Sequence, residues 1–332
     1  MRAAMAEARK GSGLTHPNPA VGAVIVKGSR ILARGWHRAA GLPHAEIEAL
    51  SNLKNRAAAR GATIFVTLEP CSTHGRTPPC TQALIETGIA RVVYGARDPN
   101  PLHAGRADAL LRAAGIAVTP GVLAADCAAL NSAWNKWIST GLPFVIAKAG
   151  MSLDGRIGSP PGRRWITSPE SRADAMDLRA SSGAILVGGG TIRADNPKLT
   201  VRGRPGAAQP WRAIWTRTAD LPPGSHIFTD RHRARTLVYS GRSLRQVLRD
   251  LGRRGVQQVL IEGGGRTLGE AFDRHLVDRI VFYIAPVLLG GPVPAVAGRG
   301  AGSIADGYDL ENLCYRVTGG DLRVQGDVRH RK

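Results

Sequence analysis

"LPHAEIEAL", residues 42–50, places His44 and Glu46 at the mouth of an amphipathic helix. A helix start that needed only a cap would carry Ser, Thr, Asp or Asn, whereas here a histidine follows Pro43. Downstream, "LEPCSTHGRTPPC" (68–80) sets Cys71 directly after Pro70 and Cys80 nine positions further on. One imidazole and two thiolates are three ligands of the kind zinc takes, and they leave one tetrahedral position open for water. An open position is a catalytic arrangement. A glutamate two residues past the histidine can stand beside that water and move its protons without binding metal. A lone histidine at a helix start is ordinarily structural, and a lone cysteine is a small buried hydrophobe. Four residues of the right types in this order favour catalytic zinc.

Working outward, "VGAVIVK" (21–27) and "ILARGW" (31–36) flank Gly28 and Ser29 and read as a hairpin. "HAEIEALSNLK" has helical spacing, "ATIFVTLE" (62–69) is β-rich, "TQALIETG" (81–88) is a helix closed by Gly88, and "RVVYGA" (91–96) is a strand. "ADALLRAAG" and "IAVTPGVL" repeat helix and strand before one helix through "ADCAALNSAWNKWI". This is an α/β layer. Gly141 and Pro143 in "STGLPF" (139–144) interrupt both periods, so a first domain over 1–143 and a second α/β domain over 144–332 are expected. The second contains "FVIAKAGMSLDG", "GAILVGGGT", "WRAIWT", "ARTLVYS", "VQQVLIEGGG" and "RIVFYIAPVLLGG". Several of these runs end in glycine, as open sheets do where backbone meets a ligand. Neither an internal repeat nor a low-complexity segment is evident.

The 332 residues carry 45 Lys and Arg against 25 Asp and Glu, a net charge of +20. Such an excess suits nucleic acid, but the arginines are scattered, the densest patch being "RHRART" (231–236), and aromatics are only 5% with no basic-aromatic stripe. Anionic small substrates are the expected partners, rather than nucleic acid. No apolar run reaches about 18 residues, and "MRAAMAEARKG" lacks an apolar signal core, so neither membrane nor export is indicated and a cytoplasmic protein is expected. Cys71, Cys80, Cys127 and Cys314 are too few and too unevenly spaced for a disulfide framework. Cys127 and Cys314 are expected to pack, and Trp134 and Trp137 to serve core or inter-domain contacts rather than to stack bases.

The order His-x-Glu, then Pro-Cys and Cys, is that of zinc deaminases, with eight residues between the cysteines where the general signature has two. With "THPNPAVGAVIV", "GWHRAAGLPHAE", "CSTHGRTPPC" and "DPNP", the first half resembles the deaminase half of the bifunctional riboflavin-biosynthesis deaminase-reductases. The second half resembles their reductase half in "KAGMSLDGRI", "RRWITS", "LRASSGAILVGGGTIRADNPKLTVR", "LIEGGGRTL" and "YIAPVLLGG". The likeness runs in order along nearly the whole chain.

This resemblance implies a cytidine-deaminase-like zinc domain followed by a dihydrofolate-reductase-like α/β domain. It implies zinc-dependent deamination of a phosphorylated diamino-ribosylamino-pyrimidinone, then NADPH-dependent reduction of its ribosyl group to ribityl. One Zn2+ would be held by His44, Cys71 and Cys80, with Glu46 handling protons. Asn18, His37, His74 and Arg76 match substrate-contacting positions. Where many relatives have histidine two residues after the first cysteine, this chain has Thr73. In the second half Thr191, Asp195, Gly264, Gly265, Arg266, Thr267 and Leu268 match NADPH contacts, with Met151 and Trp165 nearby. Arg179, Leu199, Arg202 and Glu262 match substrate positions, and Lys148 and Ser152 flank them. Read without the family, Arg179 is a helix-surface charge, Asp195 a turn residue, Trp165 a core anchor and each glycine run a turn. A homo-oligomer is expected. A nucleoside or nucleic-acid deaminase with an accessory α/β domain, or a binding protein with structural zinc, leaves more of the chain unexplained.

Overall fold

The computed structural model describes residues 1–73, 78–100, 103–158 and 165–329. The chain divides into two compact units, Met1–Thr140 and Gly141–Lys332, and the division falls within "STGLPF". Among the described residues no helix is long and apolar enough to cross a membrane.

Unit 1 is a five-stranded sheet of order β2-β1-β3-β4-β5, with β1 Gly22–Lys27, β2 Arg30–Trp36, β3 Thr63–Leu68, β4 Arg91–Ala96 and β5 Ala117–Thr119. The expected hairpin forms, Gly28 taking a left-handed φ of 58° in its turn. β1 is antiparallel to both β2 and β3, while β3, β4 and β5 are parallel. Helices α1 (Arg2–Lys10), α2 (Ala45–Ser51), α3 (Cys80–Glu86), α4 (Arg106–Ala113), α5 (Ala124–Ala129) and α6 (Ser132–Thr140) cover both faces. On one face Ala23, Ile25, Ile64, Val66 and Val92 pack with Ala45, Ala49, Leu84 and Leu111. Met5, Leu68, Ala96, Cys127 and Trp134 form a second cluster with residues of α1, α5 and α6.

Two expectations change here. "ADCAALNSAWNKWI" is two helices, not one, because Asn131 at the break binds backbone: Ala20 N–H donates to its Oδ1 at 2.8 Å and its Nδ2 donates to Ala20 O at 2.9 Å. "IAVTPGVL" is a strand only over Ala117–Thr119, since Pro120 cannot donate to the ladder and Gly121 turns left-handed at φ 83°.

Unit 2 is an eight-stranded sheet of order β12-β13-β11-β6-β10-β7-β8-β9. Its strands are β6 Phe144–Ser152, β7 Ala184–Gly188, β8 Trp211–Thr216, β9 Thr236–Ser240, β10 Gln258–Ile261, β11 Arg279–Ala285, β12 Asp309–Thr318 and β13 Asp321–Arg329. Strands β6 to β11 pair in parallel and β12 and β13 are antiparallel additions. The helices are α7 (Pro169–Ala180), α8 (Gly189–Asp195), α9 (His226–Thr229), α10 (Leu244–Arg253) and α11 (Gly265–Asp273). Val145, Ala147, Leu186, Val259 and Ile261 pack with the leucines of α10 and with Leu268 and Ala271 of α11. Ile185, Val187 and Ile214 pack with Ile192 and Ile227 in a separate cluster. The β12–β13 hairpin escapes the hydrophobic pattern because β12 is an edge strand exposed over most of its length, so its residues have no core to face.

One contact seats α2 on unit 1. A Cβ on Gly35 of β2 would lie 2.3 Å from Ala49 N and 2.4 Å from Ala45 O, so only glycine lets this helix approach. Gly35→Ala is expected to destabilise unit 1 by about 1–3 kcal/mol and to lower zinc content, because α2 carries His44 and Glu46. Denaturant unfolding with metal analysis of the purified variant checks both.

Candidate functional site

The end of unit 1 where β3 and β4 finish in parallel is the usual place for a ligand in an α/β sheet. His44 is the N-cap residue of α2, with extended backbone (φ −69°, ψ 163°) and no side-chain cap bond, so its ring is available for other partners. Glu46 follows in the first turn and is buried. Cys71 lies just past β3, and Cys80 is the first residue of α3. The ligand atoms of His44, Cys71 and Cys80 all lie within 4.8 Å of one another. His44 Nδ1 is 3.5 Å from Cys71 Sγ and 3.3 Å from Cys80 Sγ. Tetrahedral zinc with ordinary Zn–N and Zn–S bonds separates its N and S ligands by about 3.6 Å, so these residues fit that ion.

The centre perturbs its own ionisation. The hydrogen bond from the Cys80 thiol, outweighing burial, pulls Cys71 down to about 4, and Cys80 N–H also donates to Cys71 Sγ at 3.3 Å. That same thiol bond and burial raise Cys80. The hydrogen bond to Cys71 lifts His44 to about 9. Burial, reinforced by the Cys71 charge, pushes Glu46 up to about 7.

A cavity of about 310 Å³ opens on this centre, lined by Asn18, His37, His44, Glu46, Glu69, Cys71, Asp98, Asn100, His103, Trp134, Trp137 and others. His37 Nδ1 lies 3.0 Å from Pro43 O, which can only accept, so Nδ1 carries the proton. Burial lowers the His37 pKa and favours the neutral ring, leaving Nε2 to accept from the Asn18 amide at 3.0 Å. Glu69 accepts from the backbone N–H groups of Asp98 (3.3 Å), Gly105 (3.1 Å) and Ala107 (3.4 Å), pinning the loop after β4 against the cavity.

In unit 2, Arg179 on α7 forms a fork with Glu262, at 2.5 Å from Nε to Oε1 and 2.7 Å from Nη2 to Oε2, and donates to Thr200 O at 2.8 Å. Burial alone would raise Glu262, but Arg179, Lys148 and Arg202 together hold it below the usual carboxylate range. Burial pushes Lys148 down, against the pull of Glu262. The two glycine runs sit beside one another at the ends of neighbouring parallel strands β7 and β10, where Gly188 caps α8 and Gly264 caps α11. Gly264 N–H donates to Thr191 Oγ1 at 3.1 Å, joining the runs, and Gly263 is left-handed at φ 104°.

Residues 1–96 match the family model of the cytidine and deoxycytidylate deaminase zinc-binding region, and residues 143–315 match that of the RibD C-terminal domain. The chain is 37% identical over 345 residues to the riboflavin biosynthesis protein RibD of Aquifex aeolicus, covering 98% of this chain and 96% of that one. It is 41% identical over 318 residues to RibD of Mycobacterium tuberculosis, covering 93% and 91%. The chain belongs to the RibD family. Among solved structures, Acinetobacter baumannii RibD superposes with a TM-score of 0.88 at 34% identity, covering 99% of this chain and 97% of that one. A Thermotoga maritima protein described as a diaminohydroxyphosphoribosylaminopyrimidine deaminase/5-amino-6-(5-phosphoribosylamino)uracil reductase gives 0.86 at 32% identity, with 99% and 97% coverage. The cytidine-deaminase zinc domain followed by a RibD reductase domain is therefore the fold class of this chain.

Against that family frame, Asn18 and His37 meet His44, Glu46 and Cys71 in one cavity. His74 and Arg76 lie outside the described residues. Arg179, Glu262, Lys148 and Arg202 form one charged cluster. Leu199 is buried in the core, its left-handed backbone (φ 50°) leading to Thr200. Ser152 is fully buried and donates to Asp154 Oδ1 at 2.5 Å, so its hydroxyl serves a turn. Thr267 and Leu268 are buried, Met151 packs at the edge of the core, and Asp195 and Arg266 are exposed. Trp165 is exposed rather than a core anchor, with the Arg172 guanidinium 5.0 Å from its ring.

One further expectation needs correction. Cys127 packs, but Cys314 is exposed because β12 is an edge strand. As expected, Trp134 lies in the core of unit 1 and Trp137 packs against it, and both also line the cavity. Asp98 and Asn100, within "DPNP", join the cavity wall with Glu69 and His103, none of which carries a sequence signal of its own.

Because His44 is lifted to about 9 and Cys80 lies above its ordinary value, both hold protons at pH 7, whereas Cys71 at about 4 does not. Loading zinc into the metal-free protein at pH 7 is expected to release about two protons per chain, so apparent affinity falls as pH falls. Calorimetric titration in buffers of different ionisation enthalpy counts them.

Proposed function

We propose that the chain catalyses two successive steps of riboflavin biosynthesis. In unit 1, 2,5-diamino-6-ribosylamino-4(3H)-pyrimidinone 5′-phosphate is deaminated hydrolytically. In unit 2, the ribosyl side chain is reduced with NADPH to ribityl, giving 5-amino-6-ribitylamino-uracil 5′-phosphate. The observation that carries this reading is the meeting of His44, Cys71 and Cys80 with Glu46 in one cavity.

Deamination replaces a ring amino group with the oxygen of water and releases ammonia. Zinc, when bound by His44, Cys71 and Cys80, supplies Lewis-acid activation of water near neutral pH. Glu46 takes a proton from that water and returns it to the departing nitrogen; with its pKa near 7, both of its protonation states are accessible at neutral pH. The Asn18 amide, ordered by neutral His37, offers hydrogen bonds to the ring. A cavity of about 310 Å³ walled by Trp134 and Trp137 suits a small pyrimidine rather than a polynucleotide.

For the second step NADPH supplies the hydride. The α11 start at Gly265 suits its phosphates, with Gly264 beside it held in place by the Thr191 hydroxyl. Arg202 beside the Arg179–Glu262 fork suits the substrate phosphate, and Glu262 suits ribose hydroxyls. Four free cysteines suit a reducing cytoplasm.

Glu46→Gln is expected to lower ammonia release by about 10²–10⁴-fold while leaving NADPH oxidation on the already deaminated substrate unchanged. Undiminished ammonia release in that variant would sink the role of Glu46. Self-association is proposed through the β12 edge, where Tyr315 and Val317 are 62% and 73% exposed, with Leu322 of β13 paired to Val317. Val317→Asp is then expected to shift the chain toward monomer in light scattering; an unchanged mass would place the interface elsewhere.

A further inference from the structure

We propose that His103 is a further substrate-contacting residue of the deaminase site, its imidazole set on the cavity wall by the Thr73 hydroxyl. The proposal rests on the deaminase reading above.

Three observations carry it. His103 lines the same cavity as His44, Glu46 and Cys71. Its Nδ1 lies 3.0 Å from Thr73 Oγ1, bringing together residues 30 apart in sequence. Thr73 is two positions past the ligand Cys71, so this contact ties His103 to the segment that carries a metal ligand. The ring is held from the backbone as well. His103 N–H donates to Asn100 O at 2.9 Å, and Arg106 N–H donates to His103 O at 3.1 Å. Glu69 clamps the same loop on both sides, through Asp98 and through Gly105 and Ala107.

Such support orients a side chain. With Nδ1 engaged by the Thr73 hydroxyl, which can either donate or accept, Nε2 is the ring atom left for a ligand. No described residue hydrogen-bonds Nε2. An imidazole positioned in this way on a cavity wall presents one directed hydrogen bond to the polar edge of a bound pyrimidinone, with Asp98 and Asn100 on the same loop. The hydroxyl positions, and the ring, arriving from the neighbouring loop, makes the contact.

Deaminase kinetics of His103→Val, alone and with Thr73→His, test the assignment. His103→Val is expected to raise KM by about tenfold with kcat within about threefold, one zinc per chain and unchanged reductase kinetics. Adding Thr73→His is expected to return KM to within about threefold of wild type, a rescue that a mere tie between loops would not give. Ammonia release by the wild-type chain tests the deaminase reading separately. Wild-type KM in His103→Val, or a deficit that Thr73→His does not relieve, overturns the role of His103.

Discussion

Two sulfurs and one imidazole nitrogen from three separate chain segments have to meet within 4.8 Å, and much of unit 1 is arranged so that they do. The histidine reaches the centre because α2 lies directly on β2, and it lies there because Gly35 has no side chain. Cys71 arrives at the end of β3, and Cys80 opens the helix that follows. The backbone itself contributes, since the first N–H of that helix points at the Cys71 sulfur. A thiolate favoured in this way is the form a metal takes up.

The two units treat a buried glutamate in opposite ways. Glu46 is driven up by burial, with a neighbouring thiolate adding to the effect, so both of its protonation states are accessible near neutral pH. Glu262 experiences the same burial, but a two-point arginine fork and two further cations hold it ionised. The carboxylate of unit 2 is thereby a fixed anion that orients Arg179 and neighbours Lys148. Opposite neighbours acting on one chemical group thus set two different ionisation states.

Much of the site was legible because metal ligation demands particular side chains. His44, Glu46, Cys71 and Cys80 announce themselves by type and order, and Asn18 and His37 follow from the motifs around them. Glu69, Asp98, Asn100 and His103 were harder to read, since each is an ordinary polar residue until a loop brings it to the cavity wall. The failures in the fold have similar causes. Asn131 breaks an apparent helix through a bond to Ala20, 111 residues away, which no local period records. β12 and β13 lack hydrophobic alternation because one of them faces solvent along most of its length.

The sequence by itself determined the division into two α/β halves, much of the strand and helix alternation, and the candidate ligand set with the glutamate beside it. These depend on periodicity and on chemistry that few residue types can perform. Only the tertiary structure decided that two tryptophans and the loop after β4 enclose the metal centre, that the glycine runs lie side by side, and that Thr73 meets His103. Those contacts join segments distant in the chain, and their energy comes from burial and directed hydrogen bonds that exist only once the sheets have formed.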